Sequence, residues 1–342
     1  MGLKYSDLDS WRRWQQSRRR LHVLKDRARS LRRSPAPQPA RRFWVRGADP
    51  TILVACDSDS PTNDHALIKP LETATDLGAV VAHPEGVHLK LGGEWTELGS
   101  IDEVWPSVRA VASIGDHLGT GAWAHGLAQR EQRGQLVVQH GLLTPFSPPP
   151  PRNSRVAVWS EEDASFLGQG RPDLSFVVTG SPLLEAAASA PARHVSRFET
   201  PVFLGQLHGA ELSRRSMARS VTAFWRETGC WYRPHPREED KLSRLQHAAW
   251  RRAGMQFDDA ARLSDVDRPV VSAFSTGVLE AAARGIPAWV FHLDPPQWLE
   301  EFWERYAMSR WGMTPTPQSP LTSIGGVSAS TRIAHLFEGE RP

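Results

Sequence analysis

The chain has 342 residues, of which 40% are hydrophobic and 23% charged, a composition typical of globular proteins rather than of disordered or collagen-like ones. This length favours two domains, because a single core stops growing at roughly 250–300 residues. The two cysteines, Cys56 and Cys230, argue against a disulfide framework or a cysteine zinc site. No apolar run reaches the roughly 18–20 residues of a membrane-spanning helix, and no early apolar block resembles a signal peptide, so we expect a cytoplasmic protein.

Basic residues are concentrated near the N-terminus. Residues 1 to 46 contain fourteen Lys or Arg and three Asp, whereas the rest of the chain has 27 basic and 35 acidic residues. Apolar residues in this segment recur at spacings of three, four or seven, which predicts an amphipathic basic helix. They are Trp11, Trp14, Leu21, Leu24, Ala28 and Leu31. We expect residues 11–33 to associate peripherally with an anionic membrane surface on its cytoplasmic side, the alternatives being a partner protein or nucleic acid.

From about residue 45, short β-rich runs alternate with helical segments, which is typical of α/β folds with parallel sheets. Strands are predicted at 51–56, 79–82, 109–114, 135–139, 155–159, 175–179, 201–204, 230–233, 269–274 and 288–291. Helices are predicted near 211–228, 239–253 and 276–284. The sequence therefore predicts two Rossmann-like domains facing a cleft, preceded by a basic amphipathic N-terminal helix. The predicted boundaries are 1–44 for the arm and its Pro-rich linker, 45–190 for the first domain and 191–342 for the second.

The most informative segment runs from Val270 to Phe291. An apolar strand is followed by a small polar turn at Ser275, Thr276 and Gly277, and then by a helix. Free backbone N–H groups at a helix start and two hydroxyls suit a phosphate group. Glu280, about one turn into the helix, is placed to reach sugar or ribose hydroxyls. The alternative is an ordinary strand, capped helix and strand.

A second segment, residues 231–240, places His235 between two prolines directly after a short strand. Arg233 and Arg237 flank this histidine. Because proline restricts the backbone on both sides, the imidazole is presented from a rigid loop. There it can bind a diphosphate or protonate a leaving phosphate, unless it is an ordinary surface histidine.

A third segment, residues 135–146, ends a strand of the first half with His140 and Gly141. A histidine at the carboxyl end of such a strand points into the ligand crevice, where it can act as a general base, and the glycine permits close approach. Asp57 and Asp59 follow the first strand of the same half and are candidate acceptor contacts. The alternatives are a histidine that braces its loop and an aspartate that caps the next helix.

Together, these three segments resemble the two-Rossmann (GT-B) transferases of bacterial envelope polymers. The resemblance covers about residues 135–292 and is carried by the His-Gly pair, the His-Pro pair and the Ser-Thr turn with an acid four residues on. The pattern is most similar to that of CDP-glycerol glycerophosphotransferases and related capsule glycosyltransferases. Two departures stand out, because Ala273-Phe274 occupies the place of the usual Asp-Tyr and Glu280 replaces an aspartate.

The resemblance implies an enzyme that moves a sugar or a polyol phosphate from a nucleotide-activated donor to a cell-envelope glycan, as in teichoic acid or polysaccharide biosynthesis, or to a lipid-linked acceptor. His140 would activate the acceptor hydroxyl, and His235 would contact or protonate the donor diphosphate. The first domain would hold the acceptor with Asp57, Asp59 and Gly141. The second would hold the donor with Arg233, Arg237, Ser275, Thr276, Gly277 and Glu280.

No metal and no further cofactor is expected, because a helix N-terminus, hydroxyls and basic side chains can stabilise a leaving diphosphate. The thirteen histidines show no paired ligand spacing, and no Walker loop or glycine-rich dinucleotide fingerprint occurs. Two alternatives to a transferase stay open, namely a nucleotide-sugar epimerase of the same fold, which would need carboxylates in the cleft, and a catalytically silent protein that binds an envelope precursor. Nucleic acid is not an expected partner, because only the arm suggests it.

Overall fold

The computed structural model describes residues 2–18, 40–191, 194–260 and 263–339. The chain forms two compact units. The first comprises Gly2–Leu183 together with Leu321–Pro342, and the second comprises Leu184–Pro320. Each unit is built on its own largely parallel sheet with helices in the connections, so the predicted α/β fold is confirmed.

The helices, in chain order, are α1 (Leu8–Arg18), α2 (Pro61–Asn63), α3 (Lys69–Thr73), α4 (Gly119–Arg130), α5 (Glu161–Gly168), α6 (Pro182–Ser189), α7 (Arg214–Thr228), α8 (Lys241–Arg252), α9 (Gly277–Ala283), α10 (Gln297–Arg305) and α11 (Ala329–Phe337). A π-helical turn, Asp64–Ile68, joins α2 to α3. None of the helices in the described part of the chain is long and apolar enough to cross a membrane.

The first unit contains an eight-stranded sheet. Its strands are β1 (Arg41–Arg46), β2 (Ile52–Ala55), β3 (Ala79–Pro84), β4 (Thr96–Leu98), β5 (Ala110–Ser113), β6 (Gly134–Val138), β7 (Arg155–Val158) and β8 (Ser175–Val178). They lie in the order β4-β1-β3-β2-β5-β6-β7-β8, parallel from β3 to β8, with β1 antiparallel to both β3 and β4. The strand order reverses at β2, which lies between β3 and β5, and open α/β sheets bind ligands at such a point.

The last helix, α11, packs on the first unit. Its residues Ile333, Leu336 and Phe337 are buried in one core cluster with Ile52 and Val54 of β2. Helix α11 also contacts α3. The chain therefore leaves the second unit near residue 320 and returns to the first, whereas the sequence assigned all of residues 191–342 to a second domain.

The second unit contains a four-stranded parallel sheet in which strand order also reverses. Its strands are β9 (Val202–Leu204), β10 (Trp231–Arg233), β11 (Val270–Ser272) and β12 (Ala288–Val290), in the order β10-β9-β11-β12. Phe203, Tyr232 and Val271 are fully buried, as expected for short apolar strands covered by helices on both faces. The reversal lies between β9 and β11, which makes the carboxyl ends of these strands the expected ligand site of this unit.

Every strand predicted from the sequence overlaps an observed one, but β1, β4 and a short hairpin at residues 323–328 were missed. Strand β1 begins at Arg41, inside the stretch assigned to the arm and linker, because three arginines in its six residues read as a continuation of that arm. The hairpin, β13 (Ser323–Ile324) with β14 (Val327–Ser328), leads into α11.

Candidate functional site

Three loops come together at the carboxyl ends of the strands in the second unit. They follow β9, β10 and β11 and comprise residues 205–209, 234–238 and 273–277. The rings of His208 and His235 stack, with centroids 4.0 Å apart and planes inclined by 25°. This stack links the first loop to the second, so two imidazoles occupy one place beside the reversal of strand order.

Gln206 links the first loop to the third. Its side-chain oxygen accepts hydrogen bonds from the hydroxyl of Ser272 and the backbone N–H of Phe274, both at 3.0 Å. The Phe274 ring meets Trp298 edge-on, with centroids 5.9 Å apart. These contacts fix the entry to the turn that carries Ser275 and Thr276.

Glu238, at the end of the second loop, anchors that loop through three hydrogen bonds. Its carboxylate is 4% exposed and accepts hydrogen bonds from the Leu207 N–H at 2.7 Å, the Tyr232 hydroxyl at 2.8 Å and His247 Nε2 at 2.9 Å. Burial raises the pKa of Tyr232 well above its usual value, so this phenol stays protonated and donates. A Cβ on Gly205 would lie 2.3 Å from the Tyr232 oxygen, so this network also requires glycine there.

His235 is presented in one tautomer. Its Nδ1 accepts a hydrogen bond from the Arg237 N–H at 3.1 Å, so the proton of the neutral ring is on Nε2. Burial lowers the pKa of His235, and the Arg237 charge lowers it further, while Glu238 acts in the opposite direction. The ring is therefore a neutral donor at neutral pH, a form that suits hydrogen bonding to a phosphate oxygen.

The turn before α9 combines two hydroxyls with a close backbone approach. Ser275 Oγ accepts a hydrogen bond from the Gly277 N–H at 3.1 Å, whereas the Thr276 hydroxyl bonds to no described residue. A Cβ on Gly277 would lie 2.6 Å from Leu204 Cδ1, at the end of β9. Glycine therefore lets the start of α9 lie directly against the neighbouring strand.

Glu280 is a half-buried carboxyl in the first turn of α9 that accepts no hydrogen bond from the described residues. Burial raises its pKa to about 7, and the charge of Arg284 opposes this shift. Perturbed acids at the carboxyl ends of strands are typical of functional sites.

The two arginines that flank His235 differ. Arg233 forms an ion pair with Asp258 at 3.0 Å, and both side chains are largely buried. Arg237 is exposed and pairs with no carboxylate in the described ranges. Arg237 is thus the one available to an incoming anion, and the donor role of Arg233 stays a prediction.

In the first unit, Asp57 lies at the start of a helix. Its two carboxylate oxygens accept hydrogen bonds from the N–H groups of Thr120, at 2.6 Å, and Gly121, at 3.0 Å. It thereby caps α4, a helix more distant in sequence than the one that follows it. Asp59 is exposed. Their roles as acceptor contacts stay predictions.

His140 follows β6 and lies near His117 of the loop after β5. Its ring is nearly parallel to that of His117, with centroids 6.5 Å apart. Asp116, next to His117, is half-buried, and burial raises the pKa of its carboxyl against the charges of Arg12 and Arg171. Ionisable groups therefore gather at this sheet edge too, beside the reversal at β2.

The loop of His140 is braced by the residue before it. Gln139 is buried and donates from Nε2 to the Gly141 carbonyl at 3.0 Å and to Asp163 at 2.8 Å, while its own side-chain oxygen accepts from the Trp159 N–H. The catalytic role of His140 and the acceptor role of Gly141 stay predictions, on a loop that the fold holds rigidly.

Helix α1 is docked on this same region. Trp11 is 7% exposed, its indole N–H donates to the Phe146 carbonyl at 2.8 Å, and its ring meets His117 edge-on at 6.0 Å. Trp14 stacks on the Phe146 ring with centroids 5.0 Å apart. Both tryptophans of the predicted membrane-facing stripe thus contact the protein. Residues 19–39 lie outside the described residues, so membrane binding by the arm stays a prediction.

Replacing Trp11 with alanine is expected to release α1. The loss of a buried indole costs about 3 kcal/mol of local docking free energy. Amide hydrogen exchange in residues 8–18 should therefore speed up by roughly 100-fold, as measured by mass spectrometry. Arg13→Ala, on the exposed side of the same helix, is the control and should leave exchange unchanged. Equal protection in both variants would show that Trp11 does not hold the helix.

Several residues of these clusters were not identified from the sequence. They are Gln206, His208, Glu238, Asp116 and His117. His208 had a usable signal, because it follows a predicted strand and precedes a glycine, as His140 does. No sequence signal pointed to Glu238, because its partners Leu207 and His247 lie on other elements of the unit.

A metal site is not evident among the described side chains, since no three His, Cys, Asp or Glu gather in a way that could hold an ion. The stacked histidines supply only two such groups. That the reaction needs neither metal nor cofactor stays a prediction.

No protein-family model and no curated protein matches the chain. Among solved structures, it is similar to UDP-GlcNAc 2-epimerase from Methanocaldococcus jannaschii in complex with UDP-GlcNAc and UDP, at 11% identity over 84% of this chain and 99% of that one, with a TM-score of 0.49. It is also similar to UDP-N-acetylglucosamine 2-epimerase from Rickettsia bellii, at 12% identity over 84% of this chain and 94% of that one, with a TM-score of 0.47. A glycosyltransferase from Rickettsia africae is similar at 10% identity over 86% of this chain and 93% of that one, with a TM-score of 0.41. The likeness to these enzymes is one of fold.

Proposed function

We propose that this chain is a GT-B type transferase that moves a sugar or a polyol phosphate from a nucleotide-activated donor to a cell-envelope glycan or a lipid-linked acceptor. The observation that carries the proposal is the convergence of three loops at the carboxyl edge of the second sheet. They bring together the stacked His208 and His235, the exposed Arg237 and the Ser275-Thr276 turn, with Glu280 one turn further on.

These groups match the parts of a nucleotide-activated donor. Neutral His235 offers an N–H and Arg237 a positive charge to diphosphate oxygens, and the Thr276 hydroxyl offers a further donor. Glu280 is a carboxyl that sugar or ribose hydroxyls can bond. The His208 and His235 rings stack on each other, and Glu238 anchors the loops that carry them, so these donors are oriented before the ligand arrives.

The proposed reaction is a substitution at the donor. The acceptor hydroxyl oxygen forms a bond to the anomeric carbon of a sugar, or to the distal phosphorus of a polyol donor. The bond to the leaving nucleoside diphosphate, or nucleoside monophosphate, breaks. His140 takes the hydroxyl proton, and His235 stabilises the negative charge on the leaving phosphate.

The experiment that tests the proposal is a thermal-shift and calorimetric panel of CDP, UDP, GDP and CMP with their sugar or glycerol conjugates. A ligand at 100 times its Kd stabilises the folded state by about 2.7 kcal/mol. One nucleotide class should stabilise the protein selectively, and His235→Ala should weaken that binding by about tenfold, the loss of one hydrogen bond to a charged group.

His194→Ala, at an exposed histidine, is the matched control. If no nucleotide binds, the donor site is wrong. Binding without any turnover would favour the silent precursor-binding alternative.

An epimerase acting on the same class of nucleotide sugar is the second candidate. Asp116 favours it, because a half-buried carboxyl with a raised pKa suits proton transfer at carbon. Such an enzyme would introduce deuterium from D2O into the sugar without any acceptor. Incorporation that is lost in Asp116→Asn would replace the transferase proposal.

A further inference from the structure

Helices α7 and α8 of the second unit carry a strongly one-sided charge. Together they contain eight Lys or Arg and one Glu. The cations are Arg214, Arg215, Arg219, Arg226, Lys241, Arg244, Arg251 and Arg252. Arg214 pairs with Asp240 at 3.0 Å, and none of the others forms an ion pair with a described residue. Most of this positive charge is therefore not neutralised within the unit.

A groove of about 690 Å³ runs along this face. Its lining includes Arg215, Arg219 and Arg226 of α7, with small residues between them, and Gln246 and Leu293. From Arg215 to Arg226 the row of guanidinium groups extends about 16 Å along the helix axis, at 1.5 Å per residue. This length exceeds one phosphate group and suits a surface that presents many.

Exposed leucines accompany the arginines. Leu242, Leu245 and Leu293 are 54%, 59% and 49% exposed, and they are half of the large hydrophobic side chains exposed within the described ranges. Leu242 lies one helical turn before Gln246, so it is on the side of α8 that faces the groove. Exposed apolar side chains in a group mark an interaction site, and here they adjoin unpaired cations.

We propose that this basic, leucine-bearing face of α7 and α8 binds the surface of an anionic lipid membrane. Arginine forks bind phosphate oxygens, and leucines can enter the headgroup and acyl boundary below them. Single-stranded nucleic acid fits less well, because its bases stack on aromatic rings and the groove lining has none. A duplex presents charged phosphates and gives the exposed leucines no apolar partner. The basic N-terminal arm of the same chain would be repelled. The surface is distinct from that arm and independent of the proposed function.

Co-sedimentation of the full chain with lipid vesicles tests this proposal. One set contains phosphatidylcholine alone, and the other contains about one-third phosphatidylglycerol. We expect binding to the anionic vesicles only, and we expect Arg215→Glu/Arg219→Glu to lower that partition coefficient at least about tenfold. Leu242→Asn/Leu245→Asn should lower it as well. Added salt should weaken wild-type binding and have less effect on the charge-reversed variant.

The matched control is Arg130→Glu/Arg152→Glu, which reverses two exposed arginines of the first unit. It changes the net charge equally and leaves the arm intact, so it should keep wild-type binding. Circular dichroism of each variant verifies that it is folded. Equal losses in both pairs, or no loss in Arg215→Glu/Arg219→Glu, would overturn the proposal. The proposal would also be overturned if Arg215→Glu/Arg219→Glu weakened binding to a DNA oligonucleotide or an acidic peptide but left binding to vesicles unchanged.

Discussion

Replacing Glu238 with alanine is expected to lower the free energy of unfolding of the second unit by about 3–5 kcal/mol. The substitution removes the acceptor of three buried donors, on Leu207, Tyr232 and His247. None of these groups can reach water without opening the core, so each loses its hydrogen bond outright. Urea unfolding followed by tryptophan fluorescence measures the effect.

Glu239→Ala is the matched control for this prediction, because Glu239 is the exposed neighbour of Glu238 and should change stability by less than about 0.5 kcal/mol. Near-identical urea midpoints for the two variants would contradict the role of Glu238. Where Glu238→Ala still folds, the His208–His235 stack loses its support. We therefore expect weaker nucleotide stabilisation than in Glu239→Ala.

Replacing Glu280 with glutamine is expected to raise stability at pH 8 by up to about 3 kcal/mol while weakening nucleotide binding. The pKa of this carboxyl is about 7 in the folded chain and 4.5 in the unfolded one. Well below pH 4.5 both states are protonated, so no penalty exists there. As the pH rises from 4.5 to 7, the unfolded state ionises first, and the folded state loses stability until the penalty is complete above pH 7.

Unfolding of wild type and Glu280→Gln at pH 5 and pH 8 measures this difference. The two proteins should differ by less than about 1 kcal/mol at pH 5 and by about 3 kcal/mol at pH 8, whereas Glu304→Gln, at an exposed glutamate of α10, should follow wild type at both. An equal difference in the free energy of unfolding at both pH values would show that ionisation of the buried carboxyl does not cause the difference. If Glu280→Gln binds nucleotide as tightly as wild type does, Glu280 is not part of the donor site.

The sequence predicted the strands well because most are short runs of Val, Ile, Leu and Ala buried on both faces of a parallel sheet. Strand β1 could not be predicted in this way, since Arg42 pairs with Glu97 of β4 and Arg46 donates to backbone carbonyls at residues 71, 74 and 77. Its charges are satisfied by segments far along the chain. Local composition does not reveal such partners.

The candidate site was predictable where chemistry follows directly from a strand end. His235, Ser275, Thr276 and Glu280 were identified in this way, and the structure places them on elements of one sheet edge. The sequence could not show which polar side chains are already engaged in structural hydrogen bonds. Asp57 caps α4 through both oxygens, a contact that depends on the packing of a helix more than sixty residues away.

The return of α11 to the first unit has a consequence for biosynthesis. The hydrophobic core beneath β2 includes Ile333, Leu336 and Phe337, which leave the ribosome after the whole second unit. The second unit can therefore fold during translation, as a continuous stretch, while the first waits with part of its core open. For that interval the nascent chain exposes apolar surface next to β2, so the first unit is the more exposed of the two to aggregation before synthesis ends.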